Sequence, residues 1–209
     1  MNGLAIVSGG MDSTTLLYYL LAQGHSVDVL TIDYGQRHSK EIDFARRTCR
    51  HLGASFSLVD LSSVGALLTG SSLTDSGVGV PEGHYASETM KATVVPNRNA
   101  ILLTVAYGVA EARGLDFVGY AAHAGDHPIY PDCRPAFAET FEAMEHKAIG
   151  RDIVLLTPFI NKTKADIVSV GTELGVPFDK TWSCYKGGEV HCGKCGTCVE
   201  RKEAFELAG

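Results

Sequence analysis

Five short apolar runs, rich in β-branched residues, alternate along the chain with stretches of helical periodicity. The runs are LAIV at 4–7, VDVLTI at 27–32, FSLV at 56–59, DFVGY at 116–120 and VLLTPF at 154–159. This alternation is typical of βαβ units, in which each crossover helix returns the chain to a parallel sheet. The sequence therefore predicts an α/β fold with a doubly wound, mainly parallel five-stranded sheet, carried by a domain over residues 1–181.

Length and charge fit a single domain that handles a small ligand. The chain has 209 residues, 45% of them hydrophobic, which is enough for one core. Its formal net charge of −6 argues against binding to long nucleic acid, which requires an extended positively charged surface. The first residues lack the features of a signal peptide, and no apolar run reaches the roughly 18 residues of a membrane span. We therefore expect a cytoplasmic protein that binds neither a membrane nor nucleic acid.

The first apolar run leads into SGGMDSTT, which predicts an anion-binding turn. Paired glycines allow backbone N–H groups to approach a phosphate, and a helix that begins near Asp12 directs its positive end there. The loop GxxxxGK[ST] places a lysine beside the terminal phosphates, whereas the first lysine here is Lys40. This phosphate loop therefore belongs to another class, the alternative being a glycine turn capped by Asp12 or Ser13 for structural reasons alone. Its candidate nucleotide contacts are Ser8, Gly9, Gly10, Met11, Asp12, Ser13, Thr14 and Thr15.

Two other segments bring polar residues to the same edge of the predicted sheet. Asp33 and Gln36 follow the second strand and are expected beside the first loop, near a nucleotide or metal, with a simple helix entry as the competing interpretation. Arg98, within PNRNAILL, precedes an apolar helix, where a guanidinium opposes the helix dipole and so indicates an anionic partner. Asn97 and Asn99 are further candidates for substrate contact, although Asn97 could serve only as a helix cap.

The irregular loop AAHAGDHPIYPDCRPAF at 121–137 follows a strand and is dense in polar residues. Loops at strand ends often carry binding residues on a rigid scaffold, so His123, Asp126, Tyr130 and Asp132 are predicted to contact the substrate. Cys133 has no base that the sequence can assign to it. It is therefore interpreted as structural or substrate-lining rather than as a nucleophile.

The C-terminal sequence CYKGGEVHCGKCGTC has the spacing of a metal site. Four thiolates, from Cys184, Cys192, Cys195 and Cys198, suit a closed tetrahedral Zn²⁺ site, which is structural because no position remains for water. A set in which His191 replaces one cysteine is the alternative, and disulfides are disfavoured in a chain without a signal peptide. Residues 182–209 are therefore predicted to form a small zinc-binding appendage.

Apolar stripes predict the buried faces of two helices, and a third stretch predicts a lid. The first stripe consists of Ile42, Ala45, Cys49 and Leu52. The second consists of Phe137, Phe141, Met144 and Ala148, with Glu139, Glu142 and Glu145 expected in solvent. His38 is interpreted as part of an exposed helix start. The glycine-containing stretch 70–96 has no clear periodicity and is predicted to be a functional lid.

Six motifs cover nearly the whole chain in order: SGGMDS, DYGQRH, PNRNAILL, YPDCRPAF, TPFINKTKADI and CxxCxxC. SGGMDS resembles the SGGxDS loop of N-type ATP pyrophosphatases, which cleave ATP to AMP and pyrophosphate. The full series resembles the 7-cyano-7-deazaguanine synthases, whose product is a precursor of queuosine or archaeosine. The resemblance implies an adenine nucleotide alpha hydrolase-like fold. It also implies an ATP-dependent carbon–nitrogen ligase that converts 7-carboxy-7-deazaguanine and ammonia to the 7-cyano compound through adenylated intermediates.

Under this resemblance, three residues receive catalytic roles. Asp12 contacts Mg²⁺, Arg98 steers the substrate carboxylate, and Lys164 balances developing phosphate charge. The segment GDHPIYPDC departs from the family pattern at His127 and Pro128, where many members have tyrosine or serine, so neither residue is assigned a role.

Two rival interpretations remain at the level of sequence. One is a tRNA-thiolating or other adenylating relative, in which Cys133 or Cys184 carries sulfur; the acidic net charge counts against tRNA docking. The other is a non-enzymatic nucleotide-binding zinc module. The sequence leaves open the ammonia donor, the pathway that uses the product, and whether the chain forms a homodimer.

Overall fold

The computed structural model describes residues 1–37, 39–85 and 88–209. His38 and its interpreted position at a helix start lie outside the described residues, as do Ala86 and Ser87 of the predicted lid. Five strands form one sheet: β1 (Asn2–Ile6), β2 (Ser26–Asp33), β3 (Phe56–Asp60), β4 (Phe117–Gly119) and β5 (Val154–Leu156). The α-helices in the described ranges are α1 (Met11–Ala22), α2 (Lys40–Leu52), α3 (Ser62–Gly65), α4 (Arg98–Ala112), α5 (Pro135–Ile149), α6 (Lys164–Glu173) and α7 (Gly196–Ala208).

The sheet has the strand order β3-β2-β1-β4-β5, and all four pairings are parallel. Leu4 of β1 lies opposite Asp28 of β2 on one side and Val118 of β4 on the other. The chain order therefore reverses between β1 and β4, which is where a doubly wound sheet opens a crevice at the carboxyl ends of its strands. The predicted five-stranded α/β fold is confirmed.

Helices cover both faces of the sheet because its central strands are apolar on both sides. On one face, Leu4 and Val118 pack with Leu103 and Tyr107 of α4 and with Phe141 of α5. On the other face, the neighbouring residues of β1 pack with α1, α2 and α6; the buried set there includes Ala5, Val7, Leu16, Leu17, Leu20, Ala45, Cys49 and Ile167. In the described ranges, none of the helices combines the length and apolar character that a membrane crossing requires.

The predicted stripe of α2 is confirmed, since Ile42, Ala45 and Cys49 are buried and Leu52 packs against the same cluster. The predicted stripe of α5 is wrong in part. Its fully packed positions are Ala138, Phe141 and Glu145, whereas Met144 is 47% exposed.

The buried face of α5 is therefore rotated by about one residue from the expected one. Two of the three glutamates expected in solvent have structural contacts instead. Glu145 is buried, and Glu142 Oε1 accepts the Leu155 N–H of β5 at 2.7 Å. A carboxylate that accepts a backbone N–H satisfies a polar group that would otherwise be buried unpaired, which an apolar pattern cannot indicate. Ala148 is also exposed, close to the end of the helix.

Two residues of α5, the buried Phe141 and the exposed Met144, offer a matched test of this rotation. Phe141→Ala should lower the free energy of unfolding by about 3–5 kcal/mol, because the ring packs against Tyr107 and Phe137 in the core. Met144→Ala should change it by less than about 0.5 kcal/mol, as expected for an exposed side chain. Urea denaturation measures both. An equal loss of unfolding free energy in the two variants would contradict the rotated face and support the stripe expected from the sequence.

Candidate active site and metal centre

A cavity of about 230 Å³ opens at the carboxyl ends of β1, β2 and β4. Most of the predicted site residues line it: Ser8, Gly10, Met11, Asp12, Ser13, Gln36, Arg98, Asn99, His123, Asp126, Tyr130 and Lys164. The predicted lid contributes Leu73 and Tyr85 to the same lining. The structure thus brings together, from six separate segments, residues that the sequence placed only by motif.

Six predicted contacts lie outside the cavity lining that the described residues form: Gly9, Thr14, Thr15, Asp33, Asn97 and Asp132. Thr15 is buried and donates to the Met11 carbonyl at 2.9 Å, while Asp33 Oδ1 accepts the Gly35 N–H at 2.9 Å. Asp132 Oδ2 accepts the Asn99 N–H at 3.1 Å, so it supports the start of α4. These three side chains have local structural partners in the absence of any ligand.

The turn after β1 is shaped by Gly9 and Gly10. Gly9 has φ +90°, and a Cβ there would lie 2.2 Å from the backbone oxygen of Glu41. Gly10 precedes α1 in an extended conformation, and no side chain of the described residues caps the helix. Ser13 Oγ instead accepts the Ser8 N–H at 3.1 Å. The first amides of α1 therefore face the cavity without a protein acceptor from a capping side chain, an arrangement suited to an anion.

Lys164 lies between two carboxylates at one end of the cavity. Its Nζ is 3.0 Å from Asp12 Oδ2 and 2.8 Å from Glu200 Oε2 of α7. Burial alone would lower the pKa of Lys164, but the two carboxylates outweigh it and raise the pKa well above its ordinary value. Burial alone would raise the pKa of Asp12, but Lys164 and other nearby positive groups outweigh burial, and the pKa of Asp12 is lowered. Lys164 and Asp12 are therefore both charged at neutral pH.

His123 contacts a backbone amide, a lysine and a carboxylate. Its Nδ1 accepts the Gly125 N–H at 3.1 Å, and its Nε2 lies 3.3 Å from Lys164 Nζ. Nε2 lies 3.4 Å from Asp126 Oδ2, and Asp126 Oδ1 accepts the Tyr85 hydroxyl at 3.0 Å. His123 therefore lies between Lys164 and Asp126, and both of its ring nitrogens have polar neighbours in the cavity wall.

Arg98, Asn99 and Cys133 form the other end of the cavity. Arg98 Nε donates to Asn99 Oδ1 at 3.1 Å, and its guanidinium carbon lies 5.9 Å from the centre of the Tyr34 ring. Asn99 Nδ2 contacts Cys133 Sγ at 3.2 Å. Among the described residues, no carboxylate forms an ion pair with Arg98, so its charge remains available to an anionic ligand.

Burial raises the pKa of Cys133 to about 12. The thiol is therefore protonated at neutral pH, which supports the interpretation of Cys133 as a lining residue and counts against a thiolate nucleophile.

The four C-terminal cysteines come together as predicted. Their sulfur atoms lie within 4.8 Å of one another, and Cys192 Sγ is 3.9 Å from Cys198 Sγ. A tetrahedral ion with metal–sulfur distances of about 2.3 Å places its ligands about 3.8 Å apart, so the group could hold one such ion. All six cysteines of the chain are free, so the cluster contains no disulfide.

Backbone amides prepare Cys192 as a thiolate ligand. The Lys194 and Cys195 N–H groups point at its sulfur from 3.4 and 3.3 Å. Burial would raise the pKa of Cys192, but these amides outweigh it and lower the pKa to about 6. His191 instead stacks on Trp182 at 4.4 Å and accepts the Ser183 N–H. The four-cysteine set, and not the alternative with His191, is the one that the structure assembles.

Sequence reasoning missed two carboxylates at this site. Glu41 lines the cavity from the start of α2, and Glu200 of α7 lies behind the lining, where it pairs with Lys164. Burial raises the pKa of Glu41 to about 7, against the opposing effect of Arg98. Neither residue belongs to a recognisable motif, because each is defined by a partner that is remote in sequence.

The family comparison agrees with this geometry. The family model for the queuosine biosynthesis protein QueC matches residues 2–209. The chain belongs to the QueC family. It is 54% identical to a 7-cyano-7-deazaguanine synthase of Brucella ovis over 211 residues, an alignment that covers 100% of this chain and 90% of that protein.

Two solved structures share the fold at low identity. An NMN synthetase from Francisella tularensis superimposes with a TM-score of 0.54 and 16% identity, covering 91% of this chain and 70% of that one. An NH3-dependent NAD synthetase from Campylobacter jejuni gives a TM-score of 0.52 and 13% identity, covering 85% and 66%. At this identity the likeness extends to the fold alone.

Removal of one cysteine tests the metal centre. Cys195→Ser should reduce the metal content from about one ion per chain toward zero and make the C-terminal segment sensitive to protease, because a closed site needs all four ligands. Metal analysis and limited proteolysis measure these effects. Cys49→Ser, in the core stripe of α2, is the control and should retain the metal. Retention of a stoichiometric ion by Cys195→Ser would overturn the four-cysteine assignment.

The raised pKa of Glu41 predicts a pH-dependent stability. The folded state holds the proton more tightly than the unfolded state, whose ordinary value is 4.5, so stability falls as the pH rises from about 5 through about 7. Glu41→Gln removes this loss. At pH 8 it should raise the melting temperature by about 2–4 °C, as expected for roughly 1 kcal/mol at a half-buried group, with little change at pH 5. Glu173→Gln, on the exposed side of α6, should show no such difference between the two pH values. An equal effect of Glu41→Gln at both pH values would refute the raised pKa.

Proposed function

We propose that this protein is an ATP-dependent ligase that converts 7-carboxy-7-deazaguanine and ammonia to 7-cyano-7-deazaguanine. The observation that carries the proposal is the full-length match to the QueC family at 54% identity to a synthase of this name. The cavity is consistent with it, because the phosphate loop and Arg98 face the same space. An anion-binding turn, and a guanidinium with no ion-pair partner among the described residues, are what a nucleotide and a carboxylate substrate require.

ATP binds with its β and γ phosphates on the turn at Ser8–Ser13. The amides of this turn and the start of α1 hold the pyrophosphate group, which leaves as a unit. Lys164 faces the phosphates from the opposite side and balances the charge that develops as the α–β bond breaks. The turn thus performs the part that a lysine performs in GxxxxGK[ST] loops.

Asp12 is the proposed Mg²⁺ ligand. Its Oδ1 is buried and has no hydrogen-bond partner among the described residues, and a carboxylate oxygen suits a hard cation. A magnesium ion held by Asp12 would neutralise charge on the phosphate oxygens. Asp12 Oδ2 meanwhile retains Lys164 at 3.0 Å, so one carboxylate serves both positive groups.

Arg98 and its neighbours orient the substrate carboxylate. A carboxylate oxygen attacks the α phosphorus, pyrophosphate leaves, and ammonia displaces AMP from the acyl carbon to give the amide. A second adenylation, on the amide oxygen, provides a leaving group, and loss of AMP and the amide protons forms the nitrile. Each of the two carboxylate oxygens therefore leaves as part of one AMP molecule. His123, Asp126 and Tyr130 are proposed to contact the substrate, whereas Cys133 stays a thiol.

The four cysteines are proposed to hold one structural Zn²⁺. Four thiolates complete a tetrahedral shell, so the ion supplies folding energy and no open coordination site. Residues 1–181 are proposed as the catalytic domain and 182–209 as the zinc-binding segment. We further propose that the enzyme is cytoplasmic, acts on small molecules and binds no nucleic acid. A homodimer is the oligomeric state to be tested.

The thiolating alternative gains no support from the cysteines. Cys133 is kept protonated by burial, and Cys184 lies within the sulfur cluster, where it accepts the Lys186 and Cys192 N–H groups. Neither is a free thiolate beside the nucleotide site, and such a thiolate is what a sulfur carrier requires.

Product analysis tests the proposed reaction. With ATP, Mg²⁺, ammonium and 7-carboxy-7-deazaguanine, the protein should release AMP and pyrophosphate, about two of each per nitrile, because two adenylations are needed. Liquid chromatography with mass spectrometry quantifies all three. ADP and phosphate as the primary products would contradict the assignment of the loop.

The variant Asp12→Asn tests whether Asp12 is needed for the reaction itself rather than for folding. This variant should abolish release of AMP, because the proposed cation ligand is lost, while keeping the bound metal of the cysteine cluster and a melting temperature near that of the parent. Near-normal nitrile formation by Asp12→Asn would remove Asp12 from the mechanism.

A further inference from the structure

Glu200 is a carboxylate that pairs with Lys164, the lysine that lines the cavity among the described residues. Its Oε2 lies 2.8 Å from Lys164 Nζ, and its side chain is only 12% exposed. A residue that binds phosphate normally keeps its positive charge for the ligand. Here the lysine is already neutralised by Asp12 on one side, so Glu200 adds a negative charge that the phosphate site has to overcome.

The carboxylate is fixed in place by the C-terminal segment. Helix α7 begins at Gly196, directly after Cys195, and contains Cys198 and Glu200 in its first turns. The next residue, Arg201, donates to the Phe178 carbonyl at 2.7 Å and to Thr181 Oγ1 at 2.9 Å. The start of the helix is therefore anchored from both sides. This anchoring fixes the backbone position from which Glu200 contacts Lys164.

The charges at this end of the cavity sum to a negative value. Asp12, Asp126 and Glu200 are opposed by Lys164 and Arg201, so these five side chains carry a net formal charge of −1. A polyanion that approaches such a site without a cation meets net repulsion. A polyanion that carries a divalent cation brings the missing positive charge with it.

We infer that Glu200 is a specificity-determining residue that makes the phosphate site select cation-bound pyrophosphate groups over cation-free ones. It acts by adding a second negative charge beside Lys164, whose own charge Asp12 already balances, and this extra charge repels pyrophosphate that carries no cation. Selectivity of this kind places an unfavourable charge against the wrong ligand instead of adding a contact to the right one. The inference rests on the proposed function, because it takes the turn at Ser8–Ser13 as the phosphate site.

Binding of inorganic pyrophosphate to the full-length protein tests the inference without turnover. Calorimetry gives the dissociation constant in excess Mg²⁺ and in magnesium-free buffer without a chelator, so that the metal of the cysteine cluster stays bound. The parent should bind pyrophosphate much more tightly with Mg²⁺. Glu200→Gln should shrink the ratio of the two constants about tenfold, mainly through tighter magnesium-free binding, since one opposing charge is removed.

Two further variants separate charge from structure. Glu206→Gln, on the same helix, removes an exposed glutamate that is paired with Lys202 at 3.6 Å, and it should leave the ratio at the parent value. Glu200→Asp keeps the negative charge and should stay within about threefold of the parent ratio. Metal content and melting temperature, measured on each variant, report on the fold.

The outcomes are distinct. An unchanged ratio in Glu200→Gln, or an equal fall in Glu200→Asp, overturns the inference while leaving the proposed function intact. Loss of the bound metal or of the folded state in Glu200→Gln makes Glu200 a structural anchor and also overturns it. Failure of the parent to bind pyrophosphate with Mg²⁺ overturns the proposed phosphate site itself, and the inference with it.

Discussion

Helix α2 lies so close to the turn after β1 that residue 9 has no room for a side chain. A Cβ at Gly9 would lie 2.2 Å from the Glu41 backbone oxygen and 2.7 Å from the Ala45 nitrogen, and its φ of +90° is one that other residues rarely adopt. The Gly9 carbonyl also accepts the Trp182 N–H at 3.0 Å, so the turn is held by α2 and by the C-terminal segment together. The direction of α1, and with it the place of Asp12, depends on this contact.

The parts of the site that could be predicted from sequence are those set by local patterns. Apolar runs located the strands, and the glycine pair located the turn after β1 that is proposed to bind phosphate, because both depend on residues adjacent in the chain. Parallel strands then fix which loops meet, so Arg98 and His123 could be expected at one sheet edge. The cysteine spacing was sufficient to predict the cluster of four sulfur atoms, because three of the four ligands lie within seven residues of one another in the chain.

The parts that could not be predicted depend on tertiary contacts. Glu200 is 36 residues from Lys164 in the chain, and its importance follows only from the packing of α7 against α6. Helix α5 shows the same limit in another form. Its periodicity allows neighbouring stripes, and the sheet selects the one in which Glu142 can reach the Leu155 amide. Polar partners of this kind leave no apolar signal, so a stripe chosen by hydrophobicity alone was rotated.

The C-terminal segment has no core of its own. Trp182 and three of the cysteines are buried together, but the cluster is completed by Phe44 of α2 and by Val80 from the segment before α4. Lys40 of α2 lies 3.9 Å from the centre of the Trp182 ring and donates to the carbonyls of Gly188 and Glu189. Metal binding at the cysteines would therefore fasten the segment onto α2, the same helix whose backbone closes over Gly9. The segment also carries Glu200 to Lys164 and donates the Trp182 N–H to Gly9, so the cysteine cluster and the turn after β1 belong to one continuous set of contacts. We therefore expect loss of metal from the cysteines to disturb the surroundings of Lys164 as well as the order of the segment.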